Sequence, residues 1–319
     1  MIRTLCVFLL ALFGASSSAF AQYPDKPIKL IVPWATGGST DTLGRTLAQR
    51  LSQTLGQQVV VDNRPGAAAA IGTDAMAKAA PDGYTLGMIE LPHAIAPSVV
   101  AKLPYDLQKD LQPIALIGTS PLLLLVSTTL PAKTIGDFVN AAKAQPSSVA
   151  IAHSGNGSVS HLAAELLQEK TGAKFTLASY KGSGPALIDL AGGHVQAHFV
   201  TLAGGNASLK SGKAAALAVA AQKRIGALAD VSTFAEANMS DFVVEQWWGV
   251  VAPKGTPAAI VEKLRAEIVA AVNHATLQDR MRELAVDPRP LGPEPFAAFI
   301  DGEMKRWGAV VKKAGIKAE

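Results

Sequence analysis

The chain has 319 residues, with 29 Lys and Arg against 25 Asp and Glu, a formal charge of +4 and a single cysteine. Such a modest excess, with no Lys/Arg stripe interleaved with aromatics, excludes a nucleic-acid binder. The abundance of Ala, Leu, Val and Gly is that of a packed α/β protein.

The first segment reads as a leader. Arg3 is the only charge in residues 1–21; an apolar run from Leu5 to Phe13 follows, then small residues, then Ala19-Phe20-Ala21. A basic start, a short apolar centre and an A-x-A site predict a cleaved secretory signal peptide and a periplasmic protein. The apolar stretch is too short for a membrane anchor. Cys6 lies inside it, so the mature chain lacks cysteine and with it disulfides, thiolate metal sites and thiol catalysis. Loss of Arg3 lowers the charge from +4 to +3. About 300 residues remain, more than one compact core usually holds, which predicts two domains.

The mature sequence then repeats strand, Gly/Ser/Pro loop and amphipathic helix. Ile28 to Val32 is strand-like and the loop Pro33 to Ser39 ends it. Leu43, Leu47, Leu51 and Leu55 form one stripe of a helix that Gly56 stops. Val59–Val61 opens the next unit, with the loop Asn63-Arg64-Pro65-Gly66, a helix from Ile71 to Ala79 and a strand from Tyr84 to Met88. The continuous apolar run 122–126 predicts a buried strand, and a helix follows over Ile135 to Ala144. Val149–Ala152 and Phe175–Ala178 are strands that each lead through a loop into a helix; 195–200, 215–220 and 243–252 are further strands. Thr256-Pro257 and Pro293 open two final helices. The alternation predicts α/β architecture with a parallel sheet covered on both faces. Two such sets joined by two crossings predict lobe 1 over 22–121 plus 248–319 and lobe 2 over 122–247.

Ligands in open α/β sheets bind beyond the carboxyl ends of strands. Three loops fall there, each just ahead of a helix: Thr36-Gly37-Gly38-Ser39-Thr40, Ser154-Gly155-Asn156-Gly157-Ser158 and Gly182-Ser183-Gly184. Glycines admit a ligand close to the backbone, helix starts offer unpaired N–H donors, and hydroxyls add donors without charge. One such loop is ordinarily a tight turn; three at equivalent positions predict an anion site. Charge-assisted hydrogen bonds of roughly 1.5–3 kcal/mol each would reach a micromolar complex with four or five. A P-loop, a complete dinucleotide fingerprint and a G-x-S-x-G elbow are all missing, which favours a carboxylate over a phosphate and argues against catalysis. His194 and His198, four apart on a predicted strand, would stand about 13 Å apart on one face, too far for one metal. His161 can donate to a ligand or cap its own helix. Asp41 is read as complementing its helix dipole, and Trp34, Trp247 and Trp248 as core.

At these residues the sequence resembles the Bug family, the substrate-binding receptors of tripartite tricarboxylate transporters. The landmarks run the length of the mature chain. They include Gly37-Gly38 to Asp41, Val61-Asp62-Asn63-Arg64-Pro65-Gly66-Ala67, Ala80-Pro81-Asp82-Gly83-Tyr84-Thr85-Leu86, Lys102 to Asp106, Ser154 to Ser158 with His161-Leu162-Ala163, Tyr180-Lys181-Gly182-Ser183, and Ala314 to Lys317. The resemblance implies a two-lobed periplasmic binding protein fold, type II-like and hinged, with the ligand cleft between the lobes. It implies a monomer that binds a small organic carboxylate and meets membrane transporter subunits, with no catalysis, cofactor or metal. It points to Gly37, Gly38, Ser39, Thr40, Ser154, Asn156, Gly157 and Ser158 as ligand residues, with His161 and Tyr180 beside them; Thr36 and Thr201 complete the candidate ligand set. Three departures stand out. Thr36 replaces the usual proline and adds a hydroxyl, Val200 followed by Thr201 replaces a usual aspartate, and Glu90 stands where small or hydroxyl residues are common. Without that aspartate an amino-acid ligand is disfavoured, and Trp34 with Val200 suits an apolar or aromatic body. Glu90 leaves open an accepted hydrogen bond from the ligand or a carboxyl protonated by burial. A sensor subunit for a signalling receptor, or an enzyme on the same fold, are the competing classes.

Overall fold

The computed structural model describes residues 23–316; the expected signal peptide, 1–21, lies outside them. In chain order the elements begin with β1 (Ile28–Val32), α1 (Ser39–Leu55), β2 (Val59–Asn63), α2 (Ala70–Ala77), β3 (Thr85–Glu90), α3 (Leu91–Val99) and β4 (Leu111–Ser127). Then come α4 (Ile135–Ala144), β5 (Ala150–His153), α5 (Val159–Thr171), β6 (Thr176–Ser179), α6 (Ser183–Gly192), β7 (Ala197–Thr201), α7 (Leu202–Lys210) and β8 (Ala214–Val219). The chain closes with β9 (Glu245–Pro253), α8 (Ala258–Val272), α9 (Ala275–Glu283), β10 (Asp287–Leu291) and α10 (Pro293–Ala314).

The sheet runs β2-β1-β3-β9-β4-β7-β5-β6, with β8 and β10 also on β4. Helical connections make β1 parallel to β2 and β3, and β5 parallel to β6 and β7. β4 runs antiparallel to its neighbours and joins the two halves of this two-lobed α/β fold. Its Leu111–Pro121 stretch pairs with β9, while Leu122–Val126 pairs with β7 and Leu123–Ser127 with β8. From Leu122 to Ser127 every side chain is buried, as a strand covered on both faces demands. One apolar cluster extends from Leu116 and Trp247 through Leu124 to Phe199, Phe234 and Phe242, so the halves share a core. α10 reaches across both, with Lys313 donating to Glu169 of α5 at 2.7 Å and Arg306 to the Val243 carbonyl.

Several expectations need correction. The strand read as 122–126 is far longer, because irregularities between Pro113 and Ala115 and between Leu116 and Gly118 let it bend past residues that ordinarily end a strand. α3, α7, α9 and β10 carry no expectation at all. His194 precedes β7, so it shares no strand face with His198, which is fully buried.

Candidate functional site

A cavity of about 710 Å³ opens where the two halves meet, within the roughly 300–1,000 Å³ of small-molecule sites. Helices α1, α3, α5, α6 and α7 all begin on its wall, through Gly38–Thr40, Glu90–Pro92, Ser158–Val159, Gly182–Ser183 and Thr201. A helix start exposes backbone N–H groups that lack intrahelical partners. Three of the five meet that need themselves. Glu90 forms a reciprocal cap with His93, Ser158 accepts from the His161 N–H, and Thr201 accepts from the Gly204 N–H. α1 and α6 begin instead at Gly38 and Gly182, with no side-chain cap. Their first-turn donors, from opposite sides of the cavity, are therefore free for an anion.

The rest of the wall is largely apolar: Trp34, Ile95, Ala96, Val99 and Val100 on one side, Leu122, Phe199 and Val200 on the other. Among the described residues, none lining the cavity is a lysine, arginine or histidine. Glu90 is the acid on the wall, 6% exposed. Burial pushes its carboxyl up to about 7, against hydrogen bonds from Thr40 and Gln246.

Local sequence sets these positions. Asp41 accepts from the Gly37 N–H at 2.9 Å, from Arg45 at 3.0 Å and from Asn63 at 2.9 Å, pinning the opening loop to its helix. Asn63 also donates to the Trp34 carbonyl, which holds the indole edge-on to His93. In the second loop a run of hydroxyls braces the turn: Ser160 takes the Ser154 N–H at 2.9 Å and lies 3.0 and 3.1 Å from the Ser154 and Ser158 hydroxyls. Gly157 has φ +70°, and a Cβ there would stand 2.9 Å from Val99 Cβ on the facing half. Only glycine satisfies both the left-handed turn and that approach.

Residues 43–316 match the family described as "Tripartite tricarboxylate transporter family receptor". The chain belongs to that family. It is 38% identical to Protein BugT of Bordetella pertussis over 322 residues, covering 99% of both chains. Among solved structures it is similar to the periplasmic binding protein BugD, 33% identical with a TM-score of 0.80, and to a protein of R. palustris solved with adipate, 34% identical with a TM-score of 0.83. Each of these two covers 93% of this chain and 100% of the other.

Against the expected ligand residues, this Bug-family receptor brings Gly38, Ser39, Thr40, Ser154, Asn156, Gly157, Ser158 and Thr201 onto the cavity wall. Thr36 and Gly37 are exposed and outside it, because the Gly37 N–H is turned to Asp41. His161 lies behind the second loop, where its Nδ1 accepts the Gly157 N–H at 3.0 Å and its ring stacks on His153 at 4.3 Å. It supports the turn. Tyr180 is likewise turned away, donating to Asp189 at 2.6 Å. Asp41 is an anchor of the loop beyond any dipole effect. Trp247 and Trp248 are buried as expected, but Trp34 is a wall residue. The face of α3 and Gln246 of β9 escaped sequence reasoning. Gln246 had a signal, a polar residue in an apolar strand beside the tryptophans; α3, short and holding two prolines, had none.

Proposed function

We propose that this chain is a periplasmic receptor that captures a small organic carboxylate with an apolar or aromatic body, mono- or dicarboxylic, and presents it to the membrane subunits of a tripartite tricarboxylate-type transporter. It acts as a monomer, without catalysis or cofactor. The observation that carries this reading is the pair of uncapped helix starts, α1 and α6, facing one another across an apolar cavity that has no basic side chain among its described residues. Backbone donors hold a carboxylate at about 0.3–1 kcal/mol per helix terminus, up to about 2 where partly buried, while the apolar wall takes the body. The adipate in the R. palustris relative supports the same class of ligand here. The ligand residues on this reading are Gly38, Ser39, Thr40, Ser154, Asn156, Gly157, Ser158 and Ser183. We take the lobes to close about two crossings, between Pro121 and Leu122 and just ahead of Glu245, because strand partners change there.

Mass spectrometry of ligand released from the purified protein, followed by calorimetric titration with citrate, glutamate, nicotinate and aromatic dicarboxylates, tests the proposal. Tight binding of an apolar or aromatic acid is expected. Tight binding of glutamate with silence from the apolar and aromatic acids would sink it.

A further inference from the structure

Glu90 is the feature of the cavity that an anion site does not call for. Its carboxyl sits on the wall among donors only. Thr40 Oγ1 donates to Glu90 Oε2. The Trp248 indole, which can only donate, gives its N–H to the Thr40 oxygen at 2.9 Å. The first turn of α3 donates to the same carboxyl through the reciprocal cap with His93, and the Gln246 amide adds a further hydrogen bond. His93 is held neutral: Nδ1 takes the Glu90 N–H at 3.1 Å, and Nε2 lies 3.1 Å from Thr73 Oγ1, whose own proton goes to the Ala69 carbonyl. The nearest other charges point elsewhere. Asp41, behind Thr40, is engaged by Arg45, and Glu245, before Gln246, feels Arg289 and Arg306. Among the described residues that line the cavity, then, no cation faces this carboxyl, and the cavity lies beside it.

A buried carboxylate surrounded by donors and short of a cation is completed by a ligand that brings one, and it repels a second carboxylate placed against it. We propose that Glu90 is a specificity residue: it selects a monocarboxylate whose far end carries a hydrogen-bond donor, ammonium or hydroxyl, over a dicarboxylate of the same length. The ligand carboxylate then lies toward Ser183 and the Ser154–Ser158 loop, and the donor end toward Glu90. This rests on the carboxylate reading above and narrows it.

The test is a matched panel in calorimetry: adipate, 6-aminohexanoate and 6-hydroxyhexanoate, with terephthalate, 4-(aminomethyl)benzoate and 4-(hydroxymethyl)benzoate as the aromatic set, against wild type and E90Q. At about pH 8.5, where Glu90 is ionised, the donor-ended acid of at least one set should bind wild type at least about tenfold more tightly than its dicarboxylate. E90Q should lose most of the preference for the ammonium acid. In wild type alone, dicarboxylate affinity should rise by about tenfold as pH is lowered to about 6, because Glu90 then takes up a proton; this arm stands even where E90Q fails to fold. Dicarboxylates that match the donor-ended acids at high pH, a ranking unchanged in folded E90Q, or a flat pH profile would each overturn the inference while leaving the carboxylate site intact. Silence from all six acids in both proteins would sink both.

Discussion

At the scale of the residue, the cavity wall depends on groups that do not line it. Burial alone would raise the Asp41 carboxyl, but the hydrogen bonds from Arg45, Gly37 and Asn63 together outweigh it and hold it below the usual carboxylate range. A carboxyl depressed in the fold stabilises the protein above its unfolded value of about 4 and loses that contribution as pH falls through the folded value. Asp41→Asn should therefore cost about 1–3 kcal/mol at neutral pH, flatten the loss of stability below about pH 4, and weaken ligand binding by loosening Gly37–Thr40. Urea unfolding over a pH series, with calorimetry beside it, checks this; a variant with wild-type midpoint and affinity would show that the loop stands without its anchor. The sequence marked Asp41 only as a helix-start acid, because nothing in it says that Asn63 and Arg45 converge on the same oxygens. That Gly38, Ser39, Thr40 and Ser154–Ser158 line the cavity was legible, since several Gly/hydroxyl loops stand at equivalent positions ahead of helices. Trp34 was not, because an aromatic residue near a strand end is identical in sequence whether it faces core or cleft.

At the scale of the element, α5 shows how one serine divides its labour. The Ser158 oxygen caps the helix, taking the His161 N–H at 3.3 Å, and touches the Ser160 hydroxyl. A carboxylate only accepts, so these contacts leave the Ser158 O–H able to donate to it; Ser158→Ala should cost about 1 kcal/mol of stability, the usual value of such a cap, and should also weaken ligand binding by about tenfold. Lost stability with unchanged affinity would make the hydroxyl a cap alone and remove Ser158 from the ligand residues. Elements with a clear period were readable: the α1 stripe from Leu43 to Leu55, and α4, read near Ile135 to Ala144 and found there. α3 was not, because it is short and Pro92 and Pro97 speak against helix locally. α7, with Gly204 and Gly205 in its middle, forms because Gly205 packs closely on Leu125 of β4. Tertiary contact overrides propensity in both.

At the scale of the whole molecule, the halves meet in two ways that the strand-loop-helix rhythm alone cannot separate. β4 and the shared core tie them together, whereas Gly157 and Val99, both on the cavity wall, approach one another from the two halves. In Gly157→Ala the left-handed φ costs about 1 kcal/mol, and the added Cβ lies within 3.0 Å of three Val99 side-chain atoms. The strain is local to the loop, but the clash opposes closure of one lobe on the other. The variant should therefore lose at least about tenfold in ligand affinity and show less ligand-induced compaction in small-angle scattering. Val99→Ala added to it removes the facing atoms and leaves φ unchanged, so the pair should regain part of the affinity but none of the stability lost to φ. A double-mutant cycle reads that difference as a coupling of about 1 kcal/mol in binding. If the second substitution restores nothing, the contact is incidental and Gly157 is needed for its turn alone.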